Sequence, residues 1–171
     1  LVGEPNRGMA AMFTMMNNAR LSVAVQGVGV AEAALQHALA YAADRRQGPT
    51  PLSDTGAIID HADVRRMLAT MRAEIFAARS IALSCGVAMD MATATGSADW
   101  RARAALLTPI AKAYGTDTGY DVAGLGIQIH GGIGFTWEHD THLYMKRAML
   151  NWAWLGTPSR HRLRAADLAG W

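Results

Sequence analysis

The sequence predicts an all-α fold, an up-and-down four-helix bundle with a short additional C-terminal helix. The apolar residues are mostly Ala, Leu and Met, whereas aromatic residues make up only 7% of the chain. Ala, Leu and Met lose little free energy on entering a helix. Long segments also repeat apolar residues at three- and four-residue steps, and short Gly- and Pro-containing segments separate them. Four or five antiparallel helices with short connections form a bundle.

The first predicted helix runs from Gly8 to about Arg46 and contains no proline. Apolar residues also occur between those that follow the helical repeat, so we expect a central helix with several neighbours. Gly27 and Gly29 are poor helix formers, and we expect them to permit close approach of another helix or a ligand. The residues that carry the three- and four-residue steps are Met12, Met16, Ala19, Val23, Val30 and Ala34.

A loop is predicted at Gly48–Gly56, and a second helix follows it. Asp60 or Asp63 is expected to cap this helix, where acidic residues also suit the helix dipole. Its apolar residues alternate between four- and three-residue spacings, which indicates a seam between packed helices. The seam consists of Val64, Leu68, Met71, Ile75, Ala78, Ala82, Cys85 and Met89. Gly96 and Ser97 are predicted to end the helix.

A third helix is predicted from about Asp99 to Gln128, with Leu106, Ile110, Ala113 and Ile127 on one side. Pro109 lies within this segment, where it would kink the helix or mark a later start.

The segment HGGIGF (130–135) is predicted to be a turn, because three of its residues are glycine. A fourth helix is expected at Asp140–Trp154. Thr157 and Pro158 suit the cap and first position of a short last helix, which would end at Gly170.

Charge and cysteine content exclude several classes of function. The net charge of +2 is too small, and the basic residues too dispersed, to favour nucleic acid or an acidic membrane surface. The single cysteine, Cys85, cannot form an internal disulfide.

No uncharged apolar run is long enough to predict a membrane span, so we expect a cytoplasmic protein. His139 and His142 do not complete a metal-binding pattern, and we expect no metal.

Five segments, in the order GEPNRGMAAMFTMMNNARLSVAVQGVG, YAADRRQG, IIDHADVRRML, LLTPIAKAYGTD and GIQIHGGIGF, carry a family resemblance. Together they resemble the acyl-CoA dehydrogenases, flavin-dependent enzymes that desaturate acyl-CoA thioesters. The resemblance implies three domains, of which residues 1–7 would end the middle β-domain and residues 8–171 would form the C-terminal helical bundle. It also implies FAD, an acyl-CoA substrate, an electron-transfer flavoprotein as electron acceptor, and a dimer or tetramer built through the bundle.

The resemblance assigns cofactor contacts to residues at several points of the chain. Arg45 matches an arginine that reaches the FAD pyrophosphate of a neighbouring subunit, and Gln47 lies beside it. Gln128, Gly131 and Gly132 match a Gln-x-x-Gly-Gly motif at the adenosine and pyrophosphate end of the cofactor. Further matches are Thr157 as an FAD contact, and Asn17 and Arg20 as contacts of the acyl-CoA.

The catalytic base of the family is missing from both of its usual positions. Leu155 occupies one of them, before the expected Gly-Thr, and Ala19 occupies the other. Leucine and alanine cannot accept a proton, so Glu138 and Asp140 are the acids to test first. We expect the chain to be inactive alone. The alternative function is a non-catalytic partner subunit or a helical interaction module on the same scaffold.

Simpler explanations remain open for each of these residues. Arg45 could be a solvated arginine at a helix end, and HGGIGF could be a plain turn between helices. Arg20 could belong to a structural ion pair, because a buried arginine needs a partner. His130 is expected beside the flavin motif rather than as an acid or base. The methionines near the start suit a core or an interface.

Overall fold

The computed structural model describes residues 5–51, 53–135, 143 and 146. Three long helices account for most of these residues: α1 (Gly8–Asp44), α2 (Ala62–Thr95) and α3 (Ala98–His130). Two short 3₁₀ helices, Ile58–Asp60 and Gly131–Phe135, precede α2 and follow α3. The three helix bounds agree with the sequence prediction to within about two residues at most ends. The predicted all-α fold is confirmed.

Helices α1 and α3 run parallel to each other, and α2 runs antiparallel to both. Ala24 of α1 lies beside Gly115 of α3, and Ala34 lies beside Gly126 further along the same two helices. The ends of α1 and α3 therefore lie together, next to the beginning of α2. This up-down-up order is the one expected of consecutive helices in a bundle with short connections.

The closest approach of two helices is where α1 crosses α3. A Cβ atom added to Gly115 would lie 2.8 Å from the carbonyl oxygen of Ala24, and one added to Gly119 would lie 3.0 Å from that of Gly27. Gly27 thus permits close approach, as predicted. Gly29 does not, because a Cβ there would meet nothing within 4 Å.

The seam predicted for α2 forms the centre of the core. Six of its eight residues are buried, and the two at its ends, Val64 and Met89, are partly buried. Met71 and Cys85 are fully inaccessible to solvent, and Ile75 is nearly so. They pack with apolar residues of α1 and α3. The regular 4-3-4-3 spacing on the sequence therefore predicted the buried face of α2 correctly.

The predicted face of α3 was wrong. Leu106, Ile110 and Ala113 are exposed, whereas Ile127 is buried. The buried face of α3 instead carries small residues, because the close crossing with α1 leaves little space between the backbones. Its members include Thr108, Ala111, Gly115, Thr118, Gly119 and Val122. Pro109 lies inside the helix, on the exposed side.

The first turns of α1 also differ from the prediction of a helix with neighbours on most sides. Buried residues of α1 begin only at Ala24. Met12, Phe13 and Met15 are exposed, and Met16 is partly buried. In the part of the chain that the structure describes, these side chains do not pack into the core.

The capping residue predicted for α2 was also wrong. His61 occupies the cap position, and no side chain caps the helix. Asp60 instead accepts a hydrogen bond of 2.7 Å from the Thr55 hydroxyl, and Asp63 pairs with Arg66. Asp63 still places an acidic residue in the first turn, as expected for the helix dipole.

HGGIGF is a turn of 3₁₀ type, with His130 as the last residue of α3. The predicted fourth helix and the short last helix fall outside the described residues, apart from Leu143 and Lys146.

Helix α2 is long and apolar enough, by length and composition alone, to cross a membrane. The sequence was expected to contain no such segment. In the bundle, its apolar residues are divided between the buried seam and an exposed stripe of Phe76, Leu83 and Val87. Helices that pack in a protein core share this composition.

Polar contacts also link the described helices outside the core. The Arg79 guanidinium on α2 lies 2.7 Å from the Glu32 carboxylate on α1. The Tyr114 hydroxyl on α3 donates a hydrogen bond of 2.6 Å to Glu74 on α2. Both contacts join residues that are distant in sequence. They therefore reinforce the alignment of the helices that the apolar packing sets.

Candidate functional site

The backbone leaves α1 at Arg45 and becomes extended, which fixes where Arg45 and Gln47 point. The Gln47 amide donates to the Gly56 carbonyl at 2.8 Å, and the Ile58 amide donates to the Arg45 carbonyl at 2.9 Å. Alternate residues of an extended segment point to the same side. Arg45 and Gln47 accordingly line one cavity, whereas Arg46, between them, is not part of its lining.

The end of α3 supplies the opposite side of this cavity. Gly131 ends the helix with φ 63° and ψ −139°, a conformation that favours glycine, and its amide donates to the carbonyls of Ile127 and Gln128. Gly134 lies against the carbonyl of Ile127, where a Cβ would be only 2.9 Å away. Gly132 differs, because a Cβ there would meet nothing within 4 Å.

The cavity measures about 690 Å³, a volume typical of small-molecule sites. It brings together all five residues in the described region that the sequence predicted as cofactor contacts. These are Arg45, Gln47, Gln128, Gly131 and Gly132. The remaining lining is largely apolar and comes from Ile58, Val64, Met67, Ile129 and Ile133, with Tyr41, His61 and His130.

The helix ends around the cavity make opposite electrostatic contributions. The carboxyl ends of α1 and α3 carry partial negative charge, and the amino end of α2 at His61 carries partial positive charge. Arg45 is the one arginine or lysine in the described lining. Within residues 5–51 and 53–135, its guanidinium makes no hydrogen bond or ion pair. An exposed cation that the described residues do not engage is suited to an anionic ligand.

Eight of the described lining residues were not predicted as contacts from the sequence, and three of them, Tyr41, His61 and His130, carry polar aromatic rings. The rings of Tyr41 and His130 stack with centroids 4.4 Å apart and an interplanar angle of 25°. His61 places a buried Nε2 in the lining, and that atom has no hydrogen-bond partner among the described residues. Tyr41 precedes Arg45 by one helical turn and His61 occupies the cap position of α2, so their positions relative to helix ends were the available signals.

The predicted substrate contacts lie elsewhere. Arg20 donates a hydrogen bond of 3.2 Å to Asn17, one turn earlier on α1. Arg20 and Tyr41 are 21 residues apart in one helix, which corresponds to roughly 32 Å. Asn17 and Arg20 therefore belong to a different part of the surface from the cavity.

Ala19, at one of the two usual base positions, is exposed next to Arg20. Leu155, Thr157, Glu138 and Asp140 lie outside the described residues. Among the residues that the structure does describe, no three His, Cys, Asp or Glu side chains are grouped to hold a metal ion.

Curated proteins similar to this chain are acyl-CoA dehydrogenases. The 3-methylmercaptopropionyl-CoA dehydrogenase of Ruegeria pomeroyi is 42% identical over 99% of this chain and 29% of its own length. The butyryl-CoA dehydrogenase of Syntrophomonas wolfei is 31% identical over 88% of this chain and 26% of its own length. The chain thus spans less than a third of the length of these two relatives.

Solved structures and a family model agree with these relatives. The butyryl-CoA dehydrogenase of Megasphaera elsdenii superposes with a TM-score of 0.73 at 25% identity, over 94% of this chain and 38% of that protein. The family model for the acyl-CoA dehydrogenase C-terminal domain matches residues 6–169. This chain therefore belongs to the acyl-CoA dehydrogenase family, as its C-terminal domain.

Proposed function

We propose that this chain is the FAD-contacting and oligomerising domain of a flavoprotein that desaturates acyl-CoA thioesters. The observation that carries the proposal is the convergence of Arg45, Gln47, Gln128, Gly131 and Gly132 on one cavity. These residues come from two separate segments of the chain, and the fold places them together. A plain helix terminus or interhelix turn would not require that arrangement.

The chemistry of the lining fits the adenosine and diphosphate part of FAD. The Arg45 guanidinium can bind two phosphate oxygens at once, and the amides of Gln47 and Gln128 can donate and accept hydrogen bonds. Ile58, Ile129 and the neighbouring apolar residues suit the faces of an adenine. The open space beside Gly132 lets a ligand approach the backbone closely.

Arg45 is the only full positive charge in the described lining. A diphosphate carries more negative charge than one guanidinium neutralises, so the cavity suits a cofactor shared with another domain or subunit. In the bound state FAD supplies the acceptor for a hydride, whereas the residues of this cavity bind and orient its remote end. The proton-transfer step then falls to residues other than those that line the cavity.

The proposal extends to the remainder of the protein. Asn17 and Arg20 would contact the acyl-CoA at the opposite end of α1, and Thr157 would contact FAD. The exposed apolar stripe of α2 offers a surface for other subunits in a dimer or tetramer. An electron-transfer flavoprotein would accept the electrons, and the enzyme would act in the cytoplasm.

Matched variants test the cofactor contact directly. The Kd for FAD, measured by flavin fluorescence with the longer protein that contains this domain, should rise about 10- to 100-fold in Arg45→Gln, since hydrogen bonds to charged groups contribute about 1.5–3 kcal/mol. Arg46→Gln removes the same charge outside the cavity and should change Kd less than about twofold. Equal effects of the two substitutions would contradict the proposed site.

Glycine variants give a second test with its own control. Gly132→Ala places a methyl group in the open space of the cavity, and Gly124→Ala places one in open space on the α3 surface. If the ligand approaches the backbone at Gly132, only Gly132→Ala should weaken FAD binding, with both proteins folded. Unchanged FAD affinity in Gly132→Ala would place the cofactor elsewhere.

The two candidate functions, an enzyme and a non-catalytic partner subunit, can be distinguished with the longer protein that contains this domain. Leu155 at the usual base position favours the non-catalytic subunit. A yellow protein whose flavin absorbance bleaches with acyl-CoA is the expected result. A yellow protein that does not bleach would support the non-catalytic subunit. Loss of bleaching on substitution of Glu138 or Asp140 would identify the missing base.

A further inference from the structure

The stacked pair Tyr41 and His130 occupies the junction between the two segments that line the cavity. Tyr41 lies in the last turn of α1, and its carbonyl accepts the amide hydrogen of Arg45 at 2.9 Å. His130 is the last residue of α3 and directly precedes Gly131. The pair therefore contacts both cofactor-binding segments through short, rigid connections.

The His130 ring is held from three directions. Its Nδ1 lies 2.7 Å from the Gly126 carbonyl, so this nitrogen carries a hydrogen and donates it. One face of the ring stacks on Tyr41, and the following 3₁₀ turn folds back so that Gly134 lies against the His130 side chain. His130 is only 3% exposed. A ring fixed in this way sets the direction in which the chain leaves α3.

We infer that Tyr41 and His130 are positioning residues that hold Arg45 and the Gln128–Gly132 turn at the separation needed by one ligand. The inference rests on the proposed FAD contact and names the residues that pre-organise it. Without the stack, the last turns of α1 and α3 would vary in separation, and the ligand would have to order them on binding. Pre-organisation raises affinity by removing that cost.

Three tyrosine variants distinguish positioning from general stability. Tyr41→Leu removes the stack, and Tyr41→Phe keeps an aromatic ring at the same place. Tyr114→Leu makes the same change at a partly buried tyrosine of α3 outside the cavity, where the hydroxyl bonds to Glu74. The Kd for FAD should rise about three- to tenfold in Tyr41→Leu, the cost of ordering one or two groups. It should change less than about twofold in Tyr114→Leu, and it should rise less in Tyr41→Phe than in Tyr41→Leu, because phenylalanine keeps the stack on His130.

A double-mutant cycle with Arg45→Gln tests the coupling. Because the stack acts by placing Arg45 against the turn, Tyr41→Leu should raise Kd less in the Arg45→Gln background than in the wild type. Full additivity, or equal rises in Tyr41→Leu and Tyr114→Leu, would overturn the positioning role.

Hydrogen–deuterium exchange of the ligand-free chain tests the same role without a ligand. Peptides that cover Gln128–Gly134 should exchange faster in Tyr41→Leu than in Tyr41→Phe, with peptides of α2 unchanged as the reference. Equal exchange in the two variants would overturn the inference. A longer wild-type protein that does not bind FAD would instead overturn the proposed function, whatever the exchange result.

Discussion

Gly27 of α1 lies directly against Gly115 of α3, backbone to backbone. A Cβ atom at Gly27 would overlap the Gly115 carbonyl oxygen. Because backbone atoms on the other helix cannot rotate away as a side chain can, relief of the overlap requires the helices to separate. The crossing therefore depends on glycine at Gly27.

Gly27→Ala and Gly29→Ala should change stability in opposite directions. Gly27→Ala should lower the free energy of unfolding by about 1–3 kcal/mol or more, as overpacking does. Gly29→Ala adds its methyl group in open space and should raise that free energy by about 0.5–1 kcal/mol, since alanine is the better helix former. Urea denaturation measures both, and a stable Gly27→Ala protein would show that the helices do not cross as described.

Adjacent residues on α2 allow a similar comparison. Ile75 is 2% exposed and Phe76 is 72% exposed. Ile75→Ala should cost about 2–5 kcal/mol of unfolding free energy by creating a cavity. Phe76→Ala should change it by less than about 0.5 kcal/mol in the monomer. If Phe76→Ala costs as much as Ile75→Ala, then Phe76 is buried against another subunit, which analytical ultracentrifugation would detect.

The Glu32–Arg79 pair should make stability depend on acidic pH. The hydrogen bond from Arg79 lowers the pKa of Glu32 below its ordinary value of 4.5, with a further contribution from Gln36. A lowered folded-state pKa contributes stability above pH 4.5 that is lost as pH falls through the folded pKa. Glu32→Gln should therefore cost about 0.5 kcal/mol at pH 7 and nothing below that pKa.

A matched control for Glu32→Gln is Arg66→Gln, which breaks an exposed ion pair but keeps the acidic Asp63 in the first turn of α2. Asp63 pairs with Arg66 within one turn of α2, where both side chains are more than 60% exposed. Thermal unfolding of this variant should match that of the wild type closely, because exposed pairs are screened by water. An equal loss in the two variants would mean that the contact between helices adds nothing beyond a surface pair.

Asp121 should show the opposite dependence on pH. The Asp121 side chain is exposed, but neighbouring groups remove part of its water shell. This desolvation, and then the negative charges of Asp117 and Glu74, raise its pKa above the ordinary value of 3.8. Its contribution to stability is therefore lost as pH rises from 3.8 through the raised folded pKa. Asp121→Asn should stabilise the protein at pH 7 by about 0.2–0.5 kcal/mol, the usual cost of like charges four residues apart in a helix. The gain should vanish near pH 3, and a gain that is constant with pH would exclude the electrostatic cause.

The sequence predicted the helices well because their ends and the seam of α2 follow strong local rules. Gly96 ends α2 in the left-handed conformation that favours glycine, and the alternating spacing around Met71 and Ile75 defines a single buried face. The buried face of α3 was not predicted, because Leu106 and Ile110 are larger than the residues that are buried at the crossing with α1. Only the geometry of the crossing explains why glycine and alanine face α1.

The candidate site was predictable where the chain carries a recognisable motif and not where residues meet only in space. Arg45 and Gln128 lie in segments that resemble a known family, and both line the cavity. Tyr41 and His61 occur in the same segments, yet their place in the lining depends on how the ends of three helices are arranged. No spacing along the sequence contains that information.

The two sides of the loop between Arg45 and Ile58 approach each other at Gly48 and Gly56. Gly48 and Gly56 both have positive φ, of 96° and 71°, and a Cβ added at Gly56 would lie 3.7 Å from the backbone of Gly48. The pairing of Arg45 and Gln47 with Ile58 and Gly56 sets the direction of Arg45 and Gln47, and Thr55 bonds to Asp60. The tip of the loop can therefore vary without moving the cavity wall as long as Thr55 is kept. The tip near Asp54 is therefore a suitable position for a fluorescent label or a short inserted peptide, which would report on the domain from outside its binding surface.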